Sequence, residues 1–391
     1  MDCSQCGHEQ VPSGAHYCPA CGQAVPQAPG TVAQVQVTQD VESIEGGTVT
    51  GVSIRQVIGN VFAGADEETQ AHRRRKLRIL LNRVRDFWVD GVLERSIEGA
   101  DLIQLGKTLQ PGSVERPWEA VVPETESAAL ELPPETTVGD LFGELDHALL
   151  VLDGLGSGKT ITLLELAREA IEQAEHDPLQ PIPVVLSLSS WTQPRQAIAD
   201  WVVEELNTKY QIPTRFGRQW LEDNDLALLL DGLDEVDARR RPACIDALNQ
   251  FRQDHGLVQI GVCSRTKSYE GTGNRLKLSG AILLEPLTTG QIEQYLAAAG
   301  PQAEALRAVL QEDADLQALA RSPLMLNLMR LAYQGVPLEA LRCEHLDSAK
   351  ERRELLLDRY VERMFGVVAG TEAERYPPAQ TTRWLAWLAR G

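Results

Sequence analysis

The chain has 391 residues, 43% apolar and 24% charged, with 37 basic against 56 acidic side chains and a net charge of −19. That length accommodates two or more globular domains, and no run of 18 apolar residues is present to span a bilayer as a helix. The acidity disfavours broad contact with nucleic acid or anionic membrane, so either would need a local basic patch.

Met1-Asp2-Cys3 opens with neither a basic segment nor an apolar signal core, which reads as a cytosolic protein. Cys3-Ser4-Gln5-Cys6 and Cys18-Pro19-Ala20-Cys21 are two CxxC pairs eleven residues apart, each followed by a glycine, Gly7 or Gly22. Glycine permits the tight turn that lets both thiolates of a pair face one ion. Cys3, Cys6, Cys18 and Cys21 make a closed tetrahedral shell for Zn²⁺; a redox pair or disulfides is the other use of this pattern. So short a module has too little core to fold without its metal. Residues 1–24 resemble the small zinc ribbons found at the start of many prokaryotic proteins, which implies an interaction or structural role. Cys244, Cys263 and Cys343 are isolated and expected to be reduced thiols in apolar stretches.

Residues 25–65 form a linker and a β-rich segment. β-branched residues alternate through Thr48-Val49-Thr50-Gly51-Val52-Ser53-Ile54, and glycines mark turns. The segment is a connector packed on a neighbour or, alternatively, a self-pairing stretch that stacks between chains. Residues 66–130 are expected to be a helical region. Leu77, Leu80, Leu81, Val84, Phe87 and Trp88 form one apolar stripe, and Arg73-Arg74-Arg75-Lys76, Arg78, Arg83 and Arg85 take the other positions. That basic run is a solvated face or one docked on an acidic neighbour, with nucleic-acid contact as the alternative.

After the Pro133-Pro134 break, the strand-length run Leu149-Leu150-Val151-Leu152 leads into Asp153-Gly154-Leu155-Gly156-Ser157-Gly158-Lys159-Thr160 and then a helix. This is the strand, loop and helix context of a phosphate-binding loop. Gly154, Gly156, Ser157 and Gly158 let backbone N–H groups converge on an anion at a helix N-terminus. Lys159 would reach the β- and γ-phosphates, and the Thr160 hydroxyl would hold Mg²⁺. The usual pattern opens with glycine where this chain has Asp153. Its carboxylate either faces the polyphosphate or turns outward to cap the helix or pair with a neighbouring base; the outward arrangement is the expectation.

Further strands are expected at Ile182–Leu188, Leu226–Leu230, Leu257–Cys263 and Ala281–Leu284, with helices between. Leu226–Leu230 ends in Asp231-Gly232-Leu233-Asp234-Glu235. A carboxylate at the C-terminal end of a buried parallel strand stands where ligands bind. Asp231 would hold Mg²⁺, and Asp234 or Glu235 would orient or deprotonate water. Arg265, after Cys263-Ser264, points into the same crevice and could read a γ-phosphate, unless it forms a surface ion pair. From Thr288 the chain is helical. Residues 351–365 form another amphipathic helix, and Trp384-Leu385-Ala386-Trp387-Leu388 ends the sequence as if within a domain.

The residues from 131 to 345 resemble the NACHT group of signal-transducing P-loop NTPases in its bacterial form. The resemblance lies in Asp231-Gly232-Leu233-Asp234-Glu235, in Gly156-Ser157-Gly158-Lys159-Thr160, in Cys263-Ser264-Arg265 and in Ser322-Pro323-Leu324. It implies an α/β fold with a five-stranded parallel sheet over 131–300, a helical domain over 301–349 and the start of a winged helix over 350–391. It further implies Pro323 against the nucleotide base, Arg265 as a sensor, and a slow ATP-hydrolysing switch. Such a switch is closed with ADP and homo-oligomeric with ATP, answers a protein trigger or effector, and in bacteria is associated with defence against phage. The competing expectation is an interaction scaffold in which the nucleotide only holds the fold. A nucleic-acid motor is a distant third, because the net charge argues against it.

Overall fold

The computed structural model describes residues 73–94, 103–115, 129–154, 158–342, 349–367 and 378–388. All of them belong to the second of two compact units, Ala65–Gly391. Cys3, Cys6, Cys18 and Cys21, expected to hold zinc, the segment 25–65 expected to be β-rich, Cys343, and Gly156 and Ser157 of the glycine loop lie outside the described residues.

The strands are β1 (Lys107–Leu109), β2 (Leu130–Glu131), β3 (Ala148–Asp153), β4 (Ile182–Ser187), β5 (Leu226–Asp231), β6 (Gln259–Arg265) and β7 (Gly280–Leu284). They form one sheet in the order β2-β1-β7-β3-β6-β5-β4. β3 to β7 are mutually parallel, whereas β1 runs antiparallel to both β7 and β2. The sheet therefore has seven strands where five were expected. The two extra strands have three and two residues, too few for an alternation to show in sequence. For the same reason the region 66–130, expected to be helical, contributes β1 and the start of β2.

β3 is buried at all six positions. Continuous apolar runs such as Leu149 to Leu152 and Leu226 to Leu230 suit parallel strands covered on both faces. Helix α1 (residues 73–94) is followed by α2 (Val138–Glu144), α3 (Lys159–His176), α4 (Ile198–Tyr210), α5 (Thr214–Glu222), α6 (Arg241–Asp254) and the short α7 (Thr266–Glu270). α3 lays Leu163, Leu164, Leu166, Ala167 and Ile171 into the core under the sheet. A second apolar cluster opens at Leu287 and extends to Leu356. It joins α8 (Thr289–Ala298), α9 (Glu304–Glu312), α10 (Ala314–Ala320), α11 (Pro323–Tyr333), α12 (Leu338–Arg342) and α13 (Ala349–Val367). The last described helix is α14 (Pro378–Leu388). Leu105 packs against both clusters. No helix among the described residues is long and apolar enough to cross a membrane.

The basic run on α1 is in large part a docked face. Arg73 pairs with Asp223 at 2.8 Å and with Asp225, Arg85 pairs with Glu175, and Arg83 donates to the Tyr210 carbonyl. Lys76 lies 3.4 Å from the centre of the Phe216 ring, while Arg74, Arg75 and Arg78 stay exposed. From Arg85 to Leu93 the helix widens to π geometry, so that the Glu94 N–H reaches the Val89 carbonyl. Within that turn the Trp88 indole N–H donates to Tyr210 Oη at 2.8 Å. Tyr210 Oη in turn donates to the Val185 carbonyl and accepts from the Val185 N–H, at 2.8 and 3.2 Å. It thereby satisfies both backbone groups of Val185 on β4, which lies at one edge of the sheet.

Candidate active site

The C-terminal ends of β3, β5 and β6 bring Asp153, Asp231 and Arg265 to one edge of the sheet, with Asp153 and Arg265 directly opposite in the ladder. β6 lies between the other two, so the loop strand and the Asp231 strand are not neighbours. The gap is closed from α3. Gly158 precedes that helix with φ +97°, a left-handed conformation that glycine adopts without strain. Lys159 and Thr160 then occupy its first turn. Thr160 Oγ1 donates to Asp231 Oδ2 at 2.7 Å.

Asp153 pairs with a neighbouring base, one of the two expected uses, but not in the expected orientation. Its carboxylate does not turn outward: the residue is 1% exposed, and it accepts a hydrogen bond from the Lys159 ammonium. It is the last residue of a strand buried along its whole length, and a carboxylate in such a place is stable only with a cation sharing its burial. The Thr266 hydroxyl donates to the Asp153 carbonyl at 3.2 Å and holds the strand end. A phosphate arriving at Lys159 must therefore displace, or share with, a resident carboxylate. Asp153→Asn removes that competing charge and keeps the shape. It is expected to tighten nucleotide binding by about tenfold or more, about 1.4 kcal/mol. Calorimetric titration of both proteins checks this, and equal or weaker affinity in the variant would show that the pair does not oppose phosphate.

The second motif forms a 3₁₀ turn, Leu233–Glu235, directly after β5. Gly232 has φ +77°, and a methyl group there would come within 2.8 Å of Glu235 Oε2. The small residue that the motif carries at this place is thus required by the backbone, and a side chain there would also push the returning Glu235 carboxylate aside. Asp234 is 5% exposed at its side chain and has both oxygens engaged by one residue. The Arg265 N–H reaches Oδ1 at 3.0 Å, and Arg265 Nε reaches Oδ2 at 2.9 Å. The Arg265 guanidinium is half exposed. Glu235 is exposed, and its carboxylate lies in the field of Asp231 and Asp234. Partial desolvation, then those two carboxylates, raise its pKa above the ordinary range. Burial likewise raises Asp231, opposed by the hydrogen bond from Thr160. The Cys263 thiol, buried on β6, is pushed up by desolvation and is inert.

Mg²⁺ is held typically by one or two protein oxygens, substrate phosphates and water. The Thr160 hydroxyl and the Asp231 carboxylate, already in contact, fit that donor set. Among the described residues no group of three or more His, Cys, Asp or Glu side chains converges as a metal site. Pro323 begins α11, where the Ser322 hydroxyl accepts from the Met325 N–H at 3.5 Å. Its place is the helical cluster after β7. Arg241, at the start of α6, reaches the acidic turn and gives no motif signal in the sequence.

No family model matches the chain, and no curated protein matches it. Among solved structures it is similar to the Aeropyrum pernix Orc1 protein in complex with DNA. The identity is 16%, the match covers 58% of this chain and 64% of that one, and the TM-score is 0.31. It is also similar to C. elegans PCH-2, at 12% identity over 56% of this chain and 61% of that one, with a TM-score of 0.25. The chain thus spans less than two thirds of either structure's length.

Proposed function

We propose that this chain binds a magnesium nucleoside triphosphate at the ends of β3, β5 and β6 and hydrolyses it slowly, as a nucleotide-dependent switch. The observation that carries the reading is the 2.7 Å hydrogen bond from Thr160 to Asp231, which unites two motifs 71 residues apart. Gly154, Gly156, Ser157 and Gly158 cradle the phosphates, and Lys159 meets their charge. Thr160 and Asp231 hold Mg²⁺, which would neutralise developing charge on the phosphates. Glu235 orients the attacking water and takes its proton. It suits that role better than Asp234, whose two oxygens are already committed to Arg265. Asp234 sets the position of Arg265, whose half-exposed guanidinium serves as the sensor. Pro323 is the residue that the resemblance would set against the base. The resemblance to NACHT proteins supports ATP-driven homo-oligomerisation and a role in defence against phage, and the N-terminal cysteines support a Zn²⁺ module for a protein trigger or effector.

A base must be ionised, and the raised pKa of Glu235 moves that requirement upward in pH. The carboxylate takes up its proton while the pH is still above the usual glutamate range. Turnover is therefore expected to be full above the raised value and lost as the pH falls through it, earlier than an unperturbed glutamate would allow. A pH–rate profile of kcat/KM, which reports the free protein, checks this; an acid limb at the ordinary carboxylate range would remove Glu235 as the titrating group.

The scaffold reading has one observation in its favour, since Lys159 is already paired with Asp153. Sedimentation velocity separates the two. The switch predicts a larger species with Mg²⁺ and a non-hydrolysable ATP analogue than with ADP. Identical sedimentation, with saturating binding shown by calorimetry, would overturn the switch.

A further inference from the structure

We infer that Arg241 is the positioning residue of this site, pinning the turn that bears Asp234 and Glu235 to the helix that follows Arg265. The inference rests on the hydrolytic reading above. Arg241 Nε donates to the Leu233 carbonyl at 3.1 Å. Its Nη2 donates to the carbonyls of Asp234 and Val236, at 2.7 and 3.0 Å. Its Nη1 donates to the Ser268 carbonyl at 3.2 Å. One half-buried guanidinium thus holds three carbonyls of the acidic turn and one of α7.

The choice of partners is what points to positioning. Carbonyl dipoles offset the burial of a guanidinium less well than a carboxylate would, and the ion pairs present among the described residues do not include Arg241. What the arrangement does supply is geometry. The planar fork presents donors in fixed directions, so four carbonyls bound to it cannot move independently. Ser268 is three residues beyond Arg265, and Asp234 accepts from the Arg265 N–H at 3.0 Å. The turn and the end of β6 are therefore tied on two sides, by Asp234 on the site side and by Arg241 behind it. This fixes the backbone that carries Glu235 relative to the end of β6 that carries Arg265. Lysine, a single flexible point charge, cannot span both elements.

The test uses the full chain with Arg241→Ala, Arg241→Lys and the neighbouring Arg240→Ala. Arg240 donates to the Thr192 carbonyl at 2.7 Å, outside the site, and serves as the surface control. Mg·ATP affinity, kcat and amide hydrogen exchange are measured for each. Arg241→Ala is expected to lower kcat by about tenfold to a hundredfold while Kd for Mg·ATP stays within about threefold. Amides of residues 233–236 and 266–269 should exchange faster, with β5 unchanged. Arg241→Lys should fall between, and Arg240→Ala should match wild type. Unchanged kcat in Arg241→Ala overturns the inference, and so does faster exchange spread evenly over β3 to β6, which marks a merely structural role. If the wild-type protein binds Mg·ATP without hydrolysing it, the hydrolytic reading fails separately. The inference is then decided by exchange, and unaltered protection at 233–236 in Arg241→Ala overturns it.

Discussion

Lys159→Ala is expected to abolish measurable nucleotide binding and to destabilise the protein at the same time. The two losses have different origins. Binding is lost because the phosphates no longer meet a point charge inside the loop. Stability is lost because Asp153, 1% exposed, keeps its carboxylate and loses the ammonium that compensates it. Removing one partner of a buried ion pair costs about 3–5 kcal/mol. The double variant Lys159→Ala with Asp153→Ala separates these effects. With neither charge present, most of the stability should return, because no uncompensated group remains buried, whereas nucleotide binding should not. Urea unfolding and calorimetry on the three proteins check the pattern. A single variant as stable as wild type would mean that Asp153 finds other compensation, and micromolar ATP binding by it would remove Lys159 from the phosphate site.

Glu235→Gln is expected to keep nucleotide binding and to lower turnover by about a hundredfold or more, the range of a lost general base. Glutamine preserves the fold of the side chain over Gly232, where Glu235 Oε2 already lies close to the backbone. It also relieves repulsion among Asp231, Asp234 and Glu235, the same repulsion that raises the Glu235 pKa. Affinity for Mg·ATP should therefore hold or improve slightly. Asp234→Asn should behave differently, since it weakens the tie to Arg265 and disturbs the end of β6. Single-turnover hydrolysis with binding measured in parallel distinguishes the two. Equal turnover in wild type and Glu235→Gln would transfer the water to Asp234 or to another group.

The parts of this molecule that could be read from sequence are those whose cause is local. A run such as Leu226 to Leu230 is apolar at every position because it is a parallel strand covered on both faces. The strand, glycine loop and helix around Lys159 are consecutive in the chain, as are Asp231 to Glu235, so the residue types of the candidate site were legible together with the sheet's parallel character. β1 and β2 were not, because three or two residues at a sheet edge leave no periodic trace and are specified by pairing with β7 and with each other. The orientation of Asp153 was not legible either. Whether a carboxylate turns inward depends on what surrounds the strand end, and here that is Lys159, brought back by the first turn of α3. The same holds for Asp234, a candidate to orient water that is held by Arg265 on the adjacent strand end, and for Arg241, an arginine among three in a row whose partners are carbonyls. The basic helix α1 makes the point from the other direction. Its charges suggested solvent or an acidic neighbour, with nucleic acid as the alternative, and the choice for Arg73 and Arg85 was made by Asp223, Asp225 and Glu175. Composition and period state which groups are available, but charge pairing at a buried site is a sum over neighbours distant in the chain, and only the packed structure assigns those neighbours.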